Sequence, residues 1–205
     1  MLGLKELLNK YGIAPKGIIQ SGSHEAQELD IFLECGFKKI ALIEPNEKSN
    51  QVAKEKIKSN PNIILYEIAV GNEVGVKEMY IETANNGQSN SFLKPLKHIE
   101  MYPHITFNNK EIYNITKIDI LIQNKTDFNV LYIDNQGFEL ETLKGAIETL
   151  KQIDCIFTEV NFVEMYENCV LVNELDEFLL KQGFERVETG GFEFYNNAFY
   201  VRGYR

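Results

Sequence analysis

The first seventy residues alternate between short apolar runs and amphipathic segments. The apolar runs cover Gly17–Ile19, Lys39–Glu44 and Ile63–Ala69, a length and composition typical of buried strands. Between them, residues 25–34 and 47–59 have the pattern of helices and are followed by glycine or Asn-Pro. The order strand, helix, strand, helix, strand favours a parallel sheet with right-handed crossovers. The sequence therefore predicts an α/β, Rossmann-like fold.

The alternation weakens over roughly residues 70–127 and then returns. In this middle part we expect extended backbone over 76–81, a polar loop over 83–91, a turn at Phe107–Ile112, and a capping box of Thr116 and Asp119 that opens a short helix to Gln123. Beyond it, the predicted strands are Val130–Asp134, Ile153–Glu159, Phe184–Val187 and Ala198–Arg202, and the predicted helices are Glu139–Lys151 and 173–181. The last two strands would form a hairpin around Gly190 and Gly191.

Length and composition are those of one globular domain. The 205 residues are 44% hydrophobic and 25% charged, and no Pro/Ser-rich linker divides them. Within this domain we expect four parts: an N-terminal helix (1–14), a cofactor-binding half (17–71), a variable loop region (72–128) and a second half with the C-terminal hairpin (129–205).

The net charge constrains the partners. Thirty acidic residues against 21 Lys and Arg give a formal charge of -9, which disfavours general binding to nucleic-acid phosphates or anionic lipid. No apolar stretch reaches the roughly 18 residues of a membrane span, and charged residues interrupt the first leucines, unlike a signal peptide. We therefore expect a cytoplasmic protein with a small-molecule or glycan partner. The three histidines lack i, i+4 spacing, so no metal site is predicted.

Polar residues follow the predicted strands at the positions where ligands bind in parallel sheets. In such sheets the ligand lies beyond the carboxyl ends of the strands, near the point where the strand order reverses. The residues there are Gly22-Ser23-His24 after the first strand, Glu44 after the second, Ala69-Val70 after the third, Asp134 after the fourth and Glu159 after the fifth. These positions are expected to form one site.

Glu44 points to a ligand that contains adenosine. It lies 22 residues after Gly22 at a strand end, where a carboxylate can accept hydrogen bonds from both ribose hydroxyls. A dinucleotide would also need a GxGxxG loop for its pyrophosphate, but His24 and Gln27, or Ser23 and Ala26, occupy the second and third glycine positions. S-adenosylmethionine, which has no phosphates, fits this loop better than NAD.

Several motifs, in this order along the chain, resemble the FkbM-type family of S-adenosylmethionine-dependent methyltransferases. They are residues 22–28 (GSHEAQE), 43–46 (IEPN), 69–71 (AVG), 88–91 (QSNS), 132–146 (YIDNQGFELETLKGA) and 158–160 (TEV), and the resemblance spans roughly residues 17–202. It implies a class I methyltransferase fold, with a mostly parallel seven-stranded sheet, an antiparallel last strand and helices on both faces. It also implies methyl transfer, usually to a hydroxyl oxygen of a sugar or natural product.

Strand ends and resemblance together give the candidate site. Asp134, Glu159 and His24 are the candidates for catalysis. The candidates for holding S-adenosylmethionine are Gly22, Ser23, Gln27, Glu44, Pro45, Ala69, Val70, Ser89 and again Asp134. Those for the acceptor are Gln136, Glu139 and Asn161. A base need not be strong, since methyl transfer depends mainly on positioning.

Each charged candidate also has a structural interpretation. Asp134 could cap the helix that follows it, His24 could be a helix-start residue, and Glu159 could be a structural acid. Glu139 could interact with the dipole of the helix that it opens. The other two histidines, His98 and His104, are expected to be loop or surface residues.

Three positions depart from the family pattern. Gln20 stands where many members have Asp, Ala26 where the family has a loop glycine, and Gln136 where Glu is frequent. These departures motivate one alternative, a cofactor-binding module without turnover. A second alternative, an NAD-linked oxidoreductase, has the missing loop glycines against it. The acceptor is set by the segments 83–110 and 161–172, whose sequence does not identify it, and the oligomeric state is not encoded in any motif.

Overall fold

The computed structural model describes residues 3–58 and 60–203. The strands of this part are β1 (Gly17–Ser21), β2 (Lys39–Ile43), β3 (Ile63–Tyr66), β4 (Ala69–Val70), β5 (Gly75–Ile81), β6 (Asn109–Thr116), β7 (Val130–Ile133), β8 (Cys155–Asn161), β9 (Phe184–Gly191) and β10 (Tyr195–Arg202). Its α-helices are α1 (Leu4–Lys10), α2 (Leu29–Cys35), α3 (Glu47–Ile57), α4 (Lys97–Met101), α5 (Ile118–Leu121), α6 (Glu139–Lys144), α7 (Ile147–Leu150) and α8 (Val172–Lys181). No helix within these residues is both long enough and apolar enough to cross a membrane.

The central sheet has seven strands in the order β3-β2-β1-β7-β8-β10-β9. The five neighbouring strands β3, β2, β1, β7 and β8 run parallel, and β10 runs antiparallel to both β8 and β9. The order reverses between β1 and β7, which places the expected ligand site above these two strands. The predicted fold class, including the antiparallel last strand, is confirmed.

Helices cover both faces of the central sheet because its strands are apolar on both sides. Ile18 and Ile19, adjacent in β1, are completely buried in two different clusters. Ile18 shares its cluster with Phe32 of α2, and Ile19 shares the other with Leu143 of α6 and Leu175 of α8. Burial on both sides explains why the strands read as continuous apolar runs.

The second helix begins later than the sequence pattern predicts. We expected it from about residue 25, but α2 begins at Leu29. His24 and Ala26 adopt left-handed backbone, with φ of 44° and 53°, which cannot continue a right-handed helix. The third helix begins as predicted after Pro45-Asn46, because the Asn46 side chain accepts hydrogen bonds from the backbone N–H groups of Lys48 and Ser49.

A second, three-stranded sheet in the order β4-β6-β5 was not predicted. The run 63–69 is not one strand, because β3 ends at Tyr66 and β4 joins the smaller sheet. The turn predicted at Phe107–Ile112 is wrong, since β6 begins at Asn109 and pairs along β5. The middle part, where we expected extended backbone only over 76–81, therefore contains an antiparallel pair of strands, β5 and β6.

The predicted capping box is also wrong. Thr116 is the last residue of β6, and α5 has no side-chain cap. The Asp119 carboxylate accepts hydrogen bonds from the N–H groups of Glu148 and Thr149, so it caps α7 across the fold. A cap that comes from 30 residues away leaves no local signal in the sequence.

Two further predicted boundaries move. The helix expected over 139–151 is divided into α6 and α7 at Gly145, where a Cβ would overlap the backbone carbonyl of Gly71. Gly190 and Gly191 belong to β9 rather than to the hairpin turn, so both strands of the hairpin are longer than predicted. This extension carries Tyr195, at the start of β10, to the carboxyl edge of β8.

Candidate functional site

A cavity of about 570 Å³ lies beyond the carboxyl ends of β1, β2, β7 and β8. The expected strand-end residues Gly22, Glu44, Asp134 and Glu159 line it together. Its other walls come from the segment 85–105 and from Tyr195 of β10. The site is thus where the strand order reverses, as ligand binding in this type of sheet requires.

Most of the candidate residues line this cavity. They are His24, Gly22, Gln27, Glu44, Pro45, Ala69, Val70, Ser89, Asp134, Gln136 and Glu159. Ser23, Glu139 and Asn161 are not in its lining, although each is almost fully buried.

Glu44 is the ribose candidate, and its carboxylate is held rigidly. One oxygen accepts a hydrogen bond from the backbone N–H of His24 (2.9 Å) and the other from that of Asn46 (2.8 Å). Each carboxylate oxygen can accept two hydrogen bonds, so each keeps a free lone pair. Burial raises the pKa of Glu44, although both backbone donors favour its charged form. Its side chain is therefore a fixed acceptor with capacity left for a ligand.

Gly22 is required by the packing of two strand ends. It has a φ of 77°, and a Cβ there would overlap the backbone carbonyl of Asp134. The next residue, Ser23, has a completely buried hydroxyl without a hydrogen-bond partner, and it does not line the cavity. The loop after β1 thus shapes the cavity through its backbone and not through the Ser23 side chain.

The His24 ring links the loop after β1 to residues 85–105, the covering segment of the cavity. Its Nε2 is 2.8 Å from the carbonyl oxygen of Asn86, and its Nδ1 is 3.1 Å from the Gln27 amide nitrogen. A carbonyl can only accept, so Nε2 carries the proton and Nδ1 accepts from Gln27. Both ring nitrogens are therefore engaged within the protein.

The family's loop-glycine position holds Ala26 in a glycine-like conformation. Its φ of 53° keeps the left-handed turn, and its methyl group is buried. Nearby, the Gln20 side chain donates a hydrogen bond to Glu28 (2.7 Å), and both residues line the cavity. The Gln20 Oε1 atom is buried without a partner. Glu28 was not a sequence candidate, because it lies in what the pattern presents as helix.

Asp134 lines the cavity and is oriented by Gln136. The Gln136 amide donates to Asp134 Oδ1 (2.6 Å) and accepts from the Tyr166 hydroxyl (2.8 Å). The Gln136 backbone carbonyl accepts a hydrogen bond from the Ser91 hydroxyl. The protein atoms that surround Asp134 in the cavity desolvate its carboxylate and raise its pKa, while the Gln136 donor acts in the opposite direction. Asp134 is open to the cavity, not a cap of α6.

Glu139 supports the turn below Asp134 and does not reach the cavity. Its Oε1 accepts from the backbone N–H groups of Asn135 (3.0 Å) and Gly137 (3.1 Å), and its Oε2 is buried without a partner. Burial raises the pKa of Glu139 to about 7. The structure therefore favours the structural interpretation of Glu139 over an acceptor contact.

Glu159 faces the cavity with an unpartnered carboxylate. Among the described residues, none forms a hydrogen bond or ion pair with it. Burial, followed by the charges of Asp134 and Glu139, raises the pKa of Glu159 well above its ordinary value. Asn161, two residues further along β8, is buried with both amide atoms unpaired and lies outside the lining.

The covering segment contains residues that the sequence did not single out. His98 was expected in a loop or at the surface, but it is 5% exposed, and its Nε2 lies 3.2 Å from the Ser89 hydroxyl. The Tyr102 and Tyr195 hydroxyls are hydrogen-bonded across the cavity mouth (2.8 Å). His104 is exposed there, as expected. Contacts between residues 93 positions apart in the chain have no local signature.

The charges around the cavity fit S-adenosylmethionine and not a dinucleotide. Four carboxyl groups (Glu28, Glu44, Asp134 and Glu159) line it, and its described lining contains no lysine or arginine. Such a cavity attracts a sulfonium and an ammonium group, whereas it repels a pyrophosphate. Within the described chain, no group of three His, Cys, Asp or Glu side chains is arranged to hold a metal ion.

Comparisons with known proteins agree with this geometry. The methyltransferase FkbM domain matches residues 14–186. The structure of methyltransferase FkbM from Methylobacillus flagellatus superposes with a TM-score of 0.61 at 13% identity, over 92% of this chain and 44% of that one. This chain thus spans less than half the length of that protein. No curated protein sequence matches significantly.

Two ligand-bound structures share the fold. The magnesium protoporphyrin IX methyltransferase of Synechocystis, solved with bound SAM, has a TM-score of 0.55 at 11% identity, over 98% of this chain and 76% of that one. A putative tRNA methyltransferase of Streptococcus pneumoniae in complex with S-adenosyl-L-methionine has a TM-score of 0.54 at 15% identity, over 100% and 75%. Because the FkbM domain covers most of its length, this chain belongs to the FkbM family of S-adenosylmethionine-dependent methyltransferases.

Proposed function

We propose that this protein transfers the methyl group of S-adenosylmethionine to a hydroxyl oxygen of a sugar or another small molecule, with Glu159 as the general base. The observation that carries this proposal is the free carboxylate of Glu159 beside Asp134 in the strand-end cavity. An acidic cavity whose described lining has neither lysine nor arginine supports a small acceptor over a nucleic acid.

The cofactor would lie over the first half of the sheet. Glu44 has lone pairs available for the two ribose hydroxyls. Pro45, Ala69, Val70 and Ser89 are candidates for the walls around the adenosine, since they line the cavity on that side. Gln20, Glu28 and Asp134 offer polar atoms towards the methionine end.

The reaction needs a positioned acceptor and a modest base. When bound, the cofactor supplies a methyl carbon on a positively charged sulfur. This sulfur is the leaving group and needs no acid to protonate it. Glu159 takes the proton of the acceptor hydroxyl as the acceptor oxygen bonds to the methyl carbon and the bond from that carbon to sulfur breaks, with the electron pair left on sulfur. A raised pKa makes the ionised Glu159 a stronger base than an exposed carboxylate.

The other two catalytic candidates are less suited to proton transfer. Both ring nitrogens of His24 are engaged, so it has no lone pair for an acceptor proton. Asp134 shares one oxygen with the Gln136 amide, so its role is electrostatic and orienting. We assign His24 to loop positioning and Asp134 to charge stabilisation.

The departures from the family pattern do not favour loss of turnover. Ala26 keeps the left-handed turn that glycine would make, and Gln136 contacts Asp134 directly. An NAD-linked oxidoreductase is disfavoured because the described residues around the cavity form no cationic or glycine-rich phosphate cradle.

Calorimetry with S-adenosylmethionine and S-adenosylhomocysteine tests the cofactor part. We expect binding of both, and its loss in Glu44→Ala. Mass spectrometry of sugar and metabolite pools incubated with a deuterated methyl donor tests transfer, and tandem spectra locate the label on oxygen. Glu159→Gln should bind the cofactor but lose turnover by about a hundredfold or more. Absence of cofactor binding, or label on nitrogen or carbon, would contradict the proposal.

A further inference from the structure

The acceptor side of the cavity lies over β8 and β10. The cofactor candidates lie at the ends of β1 and β2, and the sheet order continues through β7 to β8 and β10. Glu159 and Tyr195 line the cavity at this end, and Tyr102 and His104 face them from the covering segment. Tyrosine rings stack on the apolar faces of sugar and other rings, while their hydroxyls pair with polar substituents.

Three sets of backbone N–H groups near the cavity are already occupied by carboxylates of the protein. Glu82 accepts hydrogen bonds from the N–H groups of Ala84, Asn85 and Gly87 in the covering segment. Glu139 fills the turn after β7, and Glu44 binds two N–H groups of the loops after β1 and β2. Clusters of such donors are where phosphates bind in other folds.

The side chains described around the cavity also offer no binding site for an anion. The described lining has four carboxyl groups and no lysine or arginine. Burial lowers the pKa of His98, which favours its neutral form, and His104 lies at the exposed mouth. Both nitrogens of the His24 ring bind protein atoms. An anionic group would therefore meet no described side-chain cation in the interior of the cavity.

We infer that the acceptor carries no phosphate, carboxylate or sulfate and is a neutral or amine-bearing hydroxy compound whose ring packs against Tyr195 and Tyr102. This inference rests on the proposed function and narrows its substrate class. It excludes phosphorylated sugars and nucleotide sugars, whose anionic groups would lie beside Asp134 and Glu159.

The first experiment needs no acceptor. Calorimetry compares S-adenosylhomocysteine with sinefungin, an analogue that has an amine-bearing carbon in place of the methylated sulfur. We expect sinefungin to bind about tenfold more tightly, and Glu159→Gln to reduce that ratio to about threefold or less. Glu164→Gln, the same charge change at an exposed position outside the cavity, should keep it. Equal binding of the two compounds, or competition by millimolar pyrophosphate, would overturn the inference.

The second experiment uses matched acceptors. Each set contains one ring as its methyl glycoside, amino sugar, 6-phosphate and uronate, and labelled methyl transfer is measured by mass spectrometry. We expect transfer to the neutral or amine member to exceed transfer to the anionic members at least about tenfold. Preference for a phosphate or uronate overturns the inference and leaves the proposed function intact. Failure to bind either cofactor form overturns both.

Discussion

The Gln136 side-chain amide donates a hydrogen bond to Asp134 over 2.6 Å. A donor at this distance stabilises the charged form of a carboxylate that burial otherwise disfavours. Gln136 can serve in this way because its own acceptor oxygen is satisfied by Tyr166. Gln136, by which this chain departs from the family's frequent Glu, thus favours the charged form of Asp134.

We predict that Gln136→Glu shifts cofactor binding to higher pH. The substitution removes the donor and places a second carboxylate beside Asp134, so the pKa of the pair rises. The pH midpoint of binding, measured by calorimetry, should increase by about one unit. Tyr166→Phe removes the hydroxyl that contacts Gln136 Oε1 and the Ser89 carbonyl, but it keeps the amide donor and adds no charge, so it should shift the midpoint much less. An unaltered midpoint in Gln136→Glu would show that the amide does not control Asp134.

We further predict that Glu139→Gln stabilises the protein at alkaline pH. Burial raises the pKa of Glu139 from 4.5 to about 7 in the folded state. A raised carboxyl pKa contributes stability below the unfolded value, and this stability is lost as the pH rises through the folded value. Glutamine mimics the protonated acid and retains the oxygen that accepts from Asn135 and Gly137.

The two proteins should therefore differ only on the alkaline side. Urea unfolding at about pH 8 should show Glu139→Gln more stable by about 1–3 kcal/mol, and at about pH 4 the difference should be small. Cofactor affinity should be kept, because Glu139 is outside the cavity lining. A destabilised variant at the alkaline pH would mean that the charged form has an additional partner.

Sequence reasoning located the site where strand ends converge. Glu44, Asp134 and Glu159 follow apolar runs, and parallel pairing brings the ends of such runs to one edge. Whether a side chain faces the cavity was not predictable in the same way. Glu139 follows Asp134 by five residues, but the turn between them directs it inward to backbone donors. The local sequence pattern predicts the strand or helix, whereas the packing of the chain determines which way a side chain points.

The contacts made by the covering segment could not be predicted from the sequence. His98 is buried because Ser89, Tyr102 and Tyr166 surround it, and none of these contacts follows a helical or strand period. Asp119 shows the same limit, since its capping partners are about thirty residues away. Such pairs form only when segments that are distant in the sequence pack together.

Substitution of Gly22 should test the packing between β1 and β7. Gly22→Ala places a Cβ against the Asp134 carbonyl and forces the two strand ends apart, so we expect a loss of at least about 3 kcal/mol in the free energy of unfolding. Gly12→Ala is the matched control, because its φ is also positive (67°) but its Cβ would meet open space. It should lose only the left-handed strain, about 1–2 kcal/mol. If urea unfolding showed equal losses of unfolding free energy in the two variants, backbone strain alone would account for both.

Ala26→Gly tests whether the departure at the family's glycine position is strained. Glycine relieves the left-handed conformation, about 1–2 kcal/mol, but loses a buried methyl group and gains freedom in the unfolded chain, together of similar size. We therefore expect a change within about 0.5 kcal/mol. Ala53→Gly, at a fully buried position in α3, has no strain to relieve and should cost about 2 kcal/mol. If both substitutions destabilised equally, Ala26 would not be strained, and its side chain rather than its backbone would explain its place in the loop.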